Sequence, residues 1–175
     1  MRTPVSSKGG LVAAACALAL LPAGAASAGE APAPAGHRQL MHSQATPDGN
    51  PSSRAAQAAG VCNDAYQIGK TGHIKRNGQI IGSVKQFYSK NCHRNYGYLW
   101  VWKSFRDKHR DYSTNIAVHD FRTNELVGLR SWSKTHQQEF WSYPADTVRH
   151  CTAARGVIRA PGDSNQNYAY SSKVC

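Results

Sequence analysis

Ile74-Lys75-Arg76-Asn77-Gly78-Gln79-Ile80-Ile81 is the stretch that decides the fold. Asn followed by Gly is the pair that most readily accepts the positive φ of a type I′ turn. Apolar positions flank it on both sides, so the segment predicts a tight antiparallel hairpin. Val84 to Ser89 continues the second arm. Downstream, Tyr96-Gly97-Tyr98-Leu99-Trp100-Val101-Trp102 is aromatic and β-branched, with no helix-forming run. Alternation along a strand places Tyr96, Tyr98, Trp100 and Trp102 on one face, with Leu99, Val101 and Phe105 on the other. A strand apolar on both faces is expected to be central.

Asn115 to Arg122 and Glu125 to Trp132 read as a second hairpin with Thr123-Asn124 at its turn. Thr147 to Ala154 and Gly156 to Arg159 read as two further short strands, and Ala169 to Cys175 as a last one. Helical turns are expected only at Asp64 to Ile68 and at Thr135 to Trp141, where Thr135 and Gln138 suit a capping box. Many short strands separated by turn signals predict an all-β fold, a small disulfide-stapled sandwich or barrel with little helix.

The chain begins with Arg2 and Lys8, continues with an apolar run from Leu11 to Leu21, and reaches Ala26-Ser27-Ala28, the order of a secretory signal peptide spanning 1–28. The apolar run is shorter than the roughly 20 residues of a membrane span. Cys16 lies inside it, but Ala26-Ser27-Ala28 is the better cleavage site, so a soluble extracellular product is expected rather than a lipoprotein. Residues 29–60 are rich in Ala, Pro, Gly and Ser and lack aromatic residues, which predicts a disordered linker or pro-segment. A single basic β domain is expected over 61–175.

Cleavage after Ala28 leaves Cys62, Cys92, Cys151 and Cys175, an even set in a chain bound for an oxidising compartment, so two disulfides are expected. Three pairings are possible; proximity in sequence favours Cys62 with Cys92 and Cys151 with Cys175. A metal site is not expected, for there is neither C-x-x-C nor H-E-x-x-H, and no cofactor is implied. Without Arg2 and Lys8 the remaining chain carries 19 basic and ten acidic residues, a net +9. That charge favours anionic partners, either a cell-wall polymer or nucleic acid.

Several fragments resemble catalytic motifs. Gly162-Asp163-Ser164 matches the start of a serine-protease nucleophile loop, but Asn165 and Gln166 stand where glycines are needed, and Pro161 to Ser164 reads as a turn. His119-Asp120 is similar to the pair of small secreted phospholipases, although Ile116-Ala117-Val118 before it predicts a strand rather than their helix. Phosphodiester cleavage needs a general acid and base plus a cation for the phosphate. The histidines at 73, 93, 109, 119, 136 and 150 supply the first, with Glu125, Glu139, Arg122 and Arg130 nearby in type. Of these, His119, Glu125 and Arg122 are the candidate catalytic set. Lys103, Arg106, Lys108 and Arg110, directly after Trp100 and Trp102, are the candidate binding set, a cationic loop beside stacking rings. The plainer reading of that run is a solvated loop above a buried strand.

The run Gly82-Ser83-Val84-Lys85-Gln86-Phe87-Tyr88-Ser89-Lys90-Asn91-Cys92, then Tyr96 to Val101, resembles the signature of YjfA-like proteins, small secreted proteins of Gram-positive bacteria grouped as a domain of unknown function. Cys62-Asn63-Asp64-Ala65 fits their earlier cysteine followed by Asp-Ala. Gln86 departs from the pattern where an apolar residue is usual. The resemblance covers residues 62–102 and implies an extracellular β domain with Cys62 bonded to Cys92. It carries no activity.

The leading expectation is therefore a secreted, non-enzymatic β domain that binds anionic polymers or cell-surface components. The alternatives are a secreted nuclease or other small hydrolase using histidine as general acid and base, and a protease inhibitor.

Overall fold

The computed structural model describes residues 43–175. The expected signal peptide and the first part of the expected linker lie outside the described residues. Eight strands follow one another: β1 (Tyr66–Arg76), β2 (Gln79–Ser89), β3 (Arg94–Val101), β4 (Tyr112–Asp120), β5 (Glu125–Thr135), β6 (Glu139–Trp141), β7 (Thr152–Arg159) and β8 (Asn167–Tyr170). Two short helical pieces, α1 (Arg54–Ala58) and α2 (Lys103–Arg106), complete the described secondary structure.

The β1–β2 hairpin turns at Asn77 and Gly78 with φ of 49° and 78°, as the Asn-Gly pair predicts. Asn124, φ 58°, serves the β4–β5 turn in the same way. The strands form two antiparallel sheets, β1-β2-β3-β6 and β5-β4-β7-β8. Beyond β8, Ser172 N donates to Lys70 O at 2.9 Å, and beyond β6, Tyr143 N donates to Gly128 O at 2.8 Å. Both open sides of the sandwich are thus stitched by backbone hydrogen bonds. Gly128 has φ 68°, and a Cβ there would meet the Tyr143 carbonyl at 2.3 Å, so close approach at that seam requires glycine.

Ile74, Val84, Leu99, Val101, Ile116, Phe140 and Ile158 fill the space between the sheets. Gln86 is fully buried there and donates to Thr152 Oγ1 at 2.6 Å, one strand from each sheet. Its amide serves as an inter-sheet tie where an apolar side chain would only pack. The other face of the first sheet carries Phe87, Tyr96, Tyr98, Trp100 and Trp141 beneath Ala56, Ala59, Val61 and Ala65. The first sheet is therefore covered on both faces. The disulfides join Cys62 to Cys92 and Cys151 to Cys175.

Four expectations need correction. Residues 43–60, expected within a disordered linker, pack on the first sheet: Ser53 caps α1 through Ala56 N, and the Tyr98 hydroxyl donates to Thr46 O. Alanines in that stretch suit the close approach of a backbone to flat aromatic rings, so a composition poor in large apolar residues still finds a partner. Asp64 to Ile68 and Thr135 to Trp141 are not helical; β1 and β6 begin inside them, because pairing with β2 and β3 outweighs a capping signal. Thr147 to Cys151 is a loop, and Thr152 to Arg159 forms one strand with no break at Arg155. Finally, Lys103 to Arg106 is a helical turn that buries Phe105 rather than an extended loop.

Candidate functional site

The outer face of the second sheet has no covering segment among the described residues. Odd positions of β4 and β7 point to it, and β8 adds Tyr168 and Tyr170, paired in register with Val157 and Arg155. Tyr168 and Tyr170 are 57% and 38% exposed. Arg155 Cζ lies 5.3 Å from the Tyr168 ring centre and 5.9 Å from that of Tyr170. The row continues edge to face from Tyr170 to His119 at 5.5 Å and from His119 to Phe121 at 4.6 Å. Lys173 Nζ lies 4.7 Å from the Phe121 ring centre. Rings and cations share the row, with Arg155 between two tyrosines and Lys173 against Phe121, so a ligand carrying both planar groups and negative charge would find partners for each.

Phe121 ends this row and stands between two residues of a second constellation. Asp120 Oδ2 accepts from His150 Nδ1 at 2.5 Å, and Arg122 Nη1 donates to His150 Nε2 at 3.1 Å. Arg has only donors, so Nε2 is the acceptor nitrogen and Nδ1 carries the proton facing Asp120. Asp120 Oδ1 also accepts from Arg122 N, closing the β4–β5 turn. Burial pushes the Asp120 carboxyl up, but the hydrogen bonds from His150 and from the backbone of Arg122 and Thr123 outweigh it and hold the group below the usual carboxylate range. His150 lines a cleft of about 610 Å³ together with His93, Asp146, Val148 and Arg149. His93 follows Cys92 and His150 precedes Cys151, so each histidine sits beside a disulfide that restrains its backbone.

A third constellation joins Glu139 and Arg130, which line a cleft of about 550 Å³ with Trp132 and the start of the described chain. Burial raises the Glu139 carboxyl, opposed by hydrogen bonds from Trp141 and Ser53. Arg130 is stacked between Trp132 and Tyr143 and donates to Trp141 O. Both groups are committed to internal contacts that hold the N-terminal segment and the β5–β6 seam, a structural latch.

Among the candidate catalytic residues, His119 and Arg122 lie in these adjoining groups, whereas Glu125 is exposed at the start of β5, where its backbone pairs in register with Asp120. His119 Nε2 is engaged by Asn124 Oδ1 at 3.1 Å. The candidate binding set does not assemble. Trp100 is buried under the N-terminal segment and Trp102 half-buried beside it, while Lys103 pairs with Asp107 and Arg106 donates to His136 O. Lys108 and Arg110 are exposed without an aromatic partner. The alternation of rings and cations expected at 100–110 occurs instead across β7 and β8, where the Tyr168-x-Tyr170 spacing was its one local sign.

Cys62, Asp64 and Cys92 lie close together, but both sulfurs belong to the disulfide, and Asp64 accepts from Ser89 Oγ and Asn91 N, so the trio is a turn cap. No helix among the described residues is long and apolar enough to cross a membrane. No protein-family model, curated protein or solved structure matches this chain, so nothing there bears on the resemblance to YjfA-like proteins.

Proposed function

We propose that this chain is a secreted domain that binds single-stranded nucleic acid along the outer face of its second sheet. The observation that carries the reading is Arg155 set against two exposed tyrosines, with His119, Phe121 and Lys173 extending the row. A polyphosphate chain without bases would leave the rings unused, whereas bases stack on them and phosphates meet the cations. Export is supported by the signal-like start and by two disulfides, which suit an oxidising compartment.

The test is fluorescence anisotropy with a labelled DNA oligonucleotide and, separately, a sulfated glycan of similar charge. Binding of the oligonucleotide should weaken steeply with salt, as phosphate contacts release counterions. Tyr168→Ala or Tyr170→Ala should weaken it by roughly tenfold to a hundredfold, following the usual contribution of a stacked base. No oligonucleotide binding at low salt, or glycan binding of equal strength that ignores both tyrosine variants, would overturn the proposal.

A further inference from the structure

We infer that the cleft lined by His150 and His93 is a centre for cleaving RNA by attack of the ribose 2′-hydroxyl, with His150 as general base, Arg122 as the phosphate clamp and Asp120 as a positioning residue. The inference rests on the binding reading for its substrate class, and Phe121, the last ring of the row, is the residue between Asp120 and Arg122 in the chain.

The geometry has the parts in a usable state. Asp120 is nearly fully buried and holds Nδ1, so the imidazole presents Nε2, the nitrogen with the lone pair, to the cleft. Arg122 is exposed and bound to that nitrogen by one hydrogen bond, so an arriving phosphate can draw the guanidinium onto its own oxygens and free Nε2. Arg149 lines the same cleft and adds a second cation for the charge that develops on phosphorus. His93 lines it from the β2–β3 turn, in the other sheet, and can face the leaving side.

In the step, His150 Nε2 takes the proton of the 2′-hydroxyl and the 2′-oxygen bonds to the adjacent phosphorus. The bond from phosphorus to the 5′-oxygen breaks, and that oxygen leaves with a proton from protonated His93. The products are a 2′,3′-cyclic phosphate and a 5′-hydroxyl end. Solvent returns both histidines to their starting states, so no oxidant or co-reactant is needed. DNA has no 2′-hydroxyl and would bind without being cut.

The full chain without its signal segment is incubated with a labelled RNA oligonucleotide, with a DNA of the same sequence, and with uridine 3′-(4-nitrophenyl phosphate), whose leaving group needs no proton. RNA should give cyclic-phosphate ends while DNA stays intact. His150→Ala should lower cleavage of both RNA and the nitrophenyl ester by about a hundredfold or more, whereas His93→Ala should slow RNA to that degree and leave the ester near the wild-type rate. Asp120→Asn should reduce kcat with KM unchanged. DNA binding by each variant reports whether it is folded; His150→Gln replaces His150→Ala, and His93→Gln replaces His93→Ala, where the alanine variant fails this check. DNA binding without RNA cleavage, or cleavage indifferent to both His150 substitutions, overturns this inference and leaves the binding proposal standing. Ester cleavage without DNA binding would do the reverse, and loss of both would remove the two together.

Discussion

Asp120 and Glu139 are both carboxyls in poorly hydrated surroundings, yet the outcome of burial is opposite for them. Asp120 collects enough donors to overcome desolvation, and its folded value drops below the unfolded value of 3.8. Its contribution to stability is therefore complete above that pH and is lost as pH falls through the lower folded value. Thermal unfolding followed from about pH 5 to about pH 2 should show a shallower loss for Asp120→Asn than for the parent. For Glu139 burial wins, and the folded value rises above 4.5. The penalty on its ionised form sets in as pH rises past the unfolded value and is complete above the folded one. Glu139→Gln, which keeps an acceptor for Trp141 and Ser53, should gain stability over the parent as pH is raised from about 4 to about 8. The sequence offered both carboxyls and His150 as residue types, but nothing in the spacing of 120 and 150 announces a hydrogen bond across 30 positions.

At the level of elements, a turn glycine and a strand glycine differ in what surrounds them. Gly78 has φ 78° and open space around a built Cβ, so Gly78→Ala should cost only about 1 kcal/mol, the strain of a left-handed residue. At Gly72 a Cβ would lie 1.9 Å from the Tyr170 carbonyl, where β1 passes the end of β8. Gly72→Ala should cost at least about 4 kcal/mol or prevent folding, because backbone must move at the seam of the two sheets. Chemical denaturation of both variants checks the contrast. The hairpin glycine was legible from its Asn-Gly pair; the seam glycine was not, since its neighbour is about 100 residues away. The segment before Val61 was misread for a related reason. Its alanines look unable to form a core, and they do so only against the tyrosines and tryptophans of β3 and β6. Removing residues 43–60 should uncover Phe87, Tyr98 and Trp141, lower the melting temperature and raise the fluorescence of a hydrophobic dye.

For the molecule as a whole, two disulfides separated by 30 and 24 residues close loops whose denatured-state entropy is worth about 3.5 kcal/mol each. That is a large share of the roughly 5–15 kcal/mol by which a domain of this size is stable. Melting measured with and without reductant should show a steep loss, and because His93 and His150 adjoin the bonded cysteines, the proposed RNA cleavage should fall before bulk unfolding is complete. The asymmetry of the sandwich matters as much as its staples. One sheet is covered by residues 43–65, and the outer face of the other, uncovered among the described residues, carries the rings and cations.

Local chemistry alone determined the hairpins, the central aromatic strand and the basic balance, because turn propensity, alternation and charge are properties of neighbouring residues. Which sheet face stays open, which tryptophans become core, and which histidine meets Asp120 were decided only by tertiary structure. Those outcomes depend on contacts between residues tens of positions apart, and whether the chain's alanines pack or remain in water is settled by what lies opposite them.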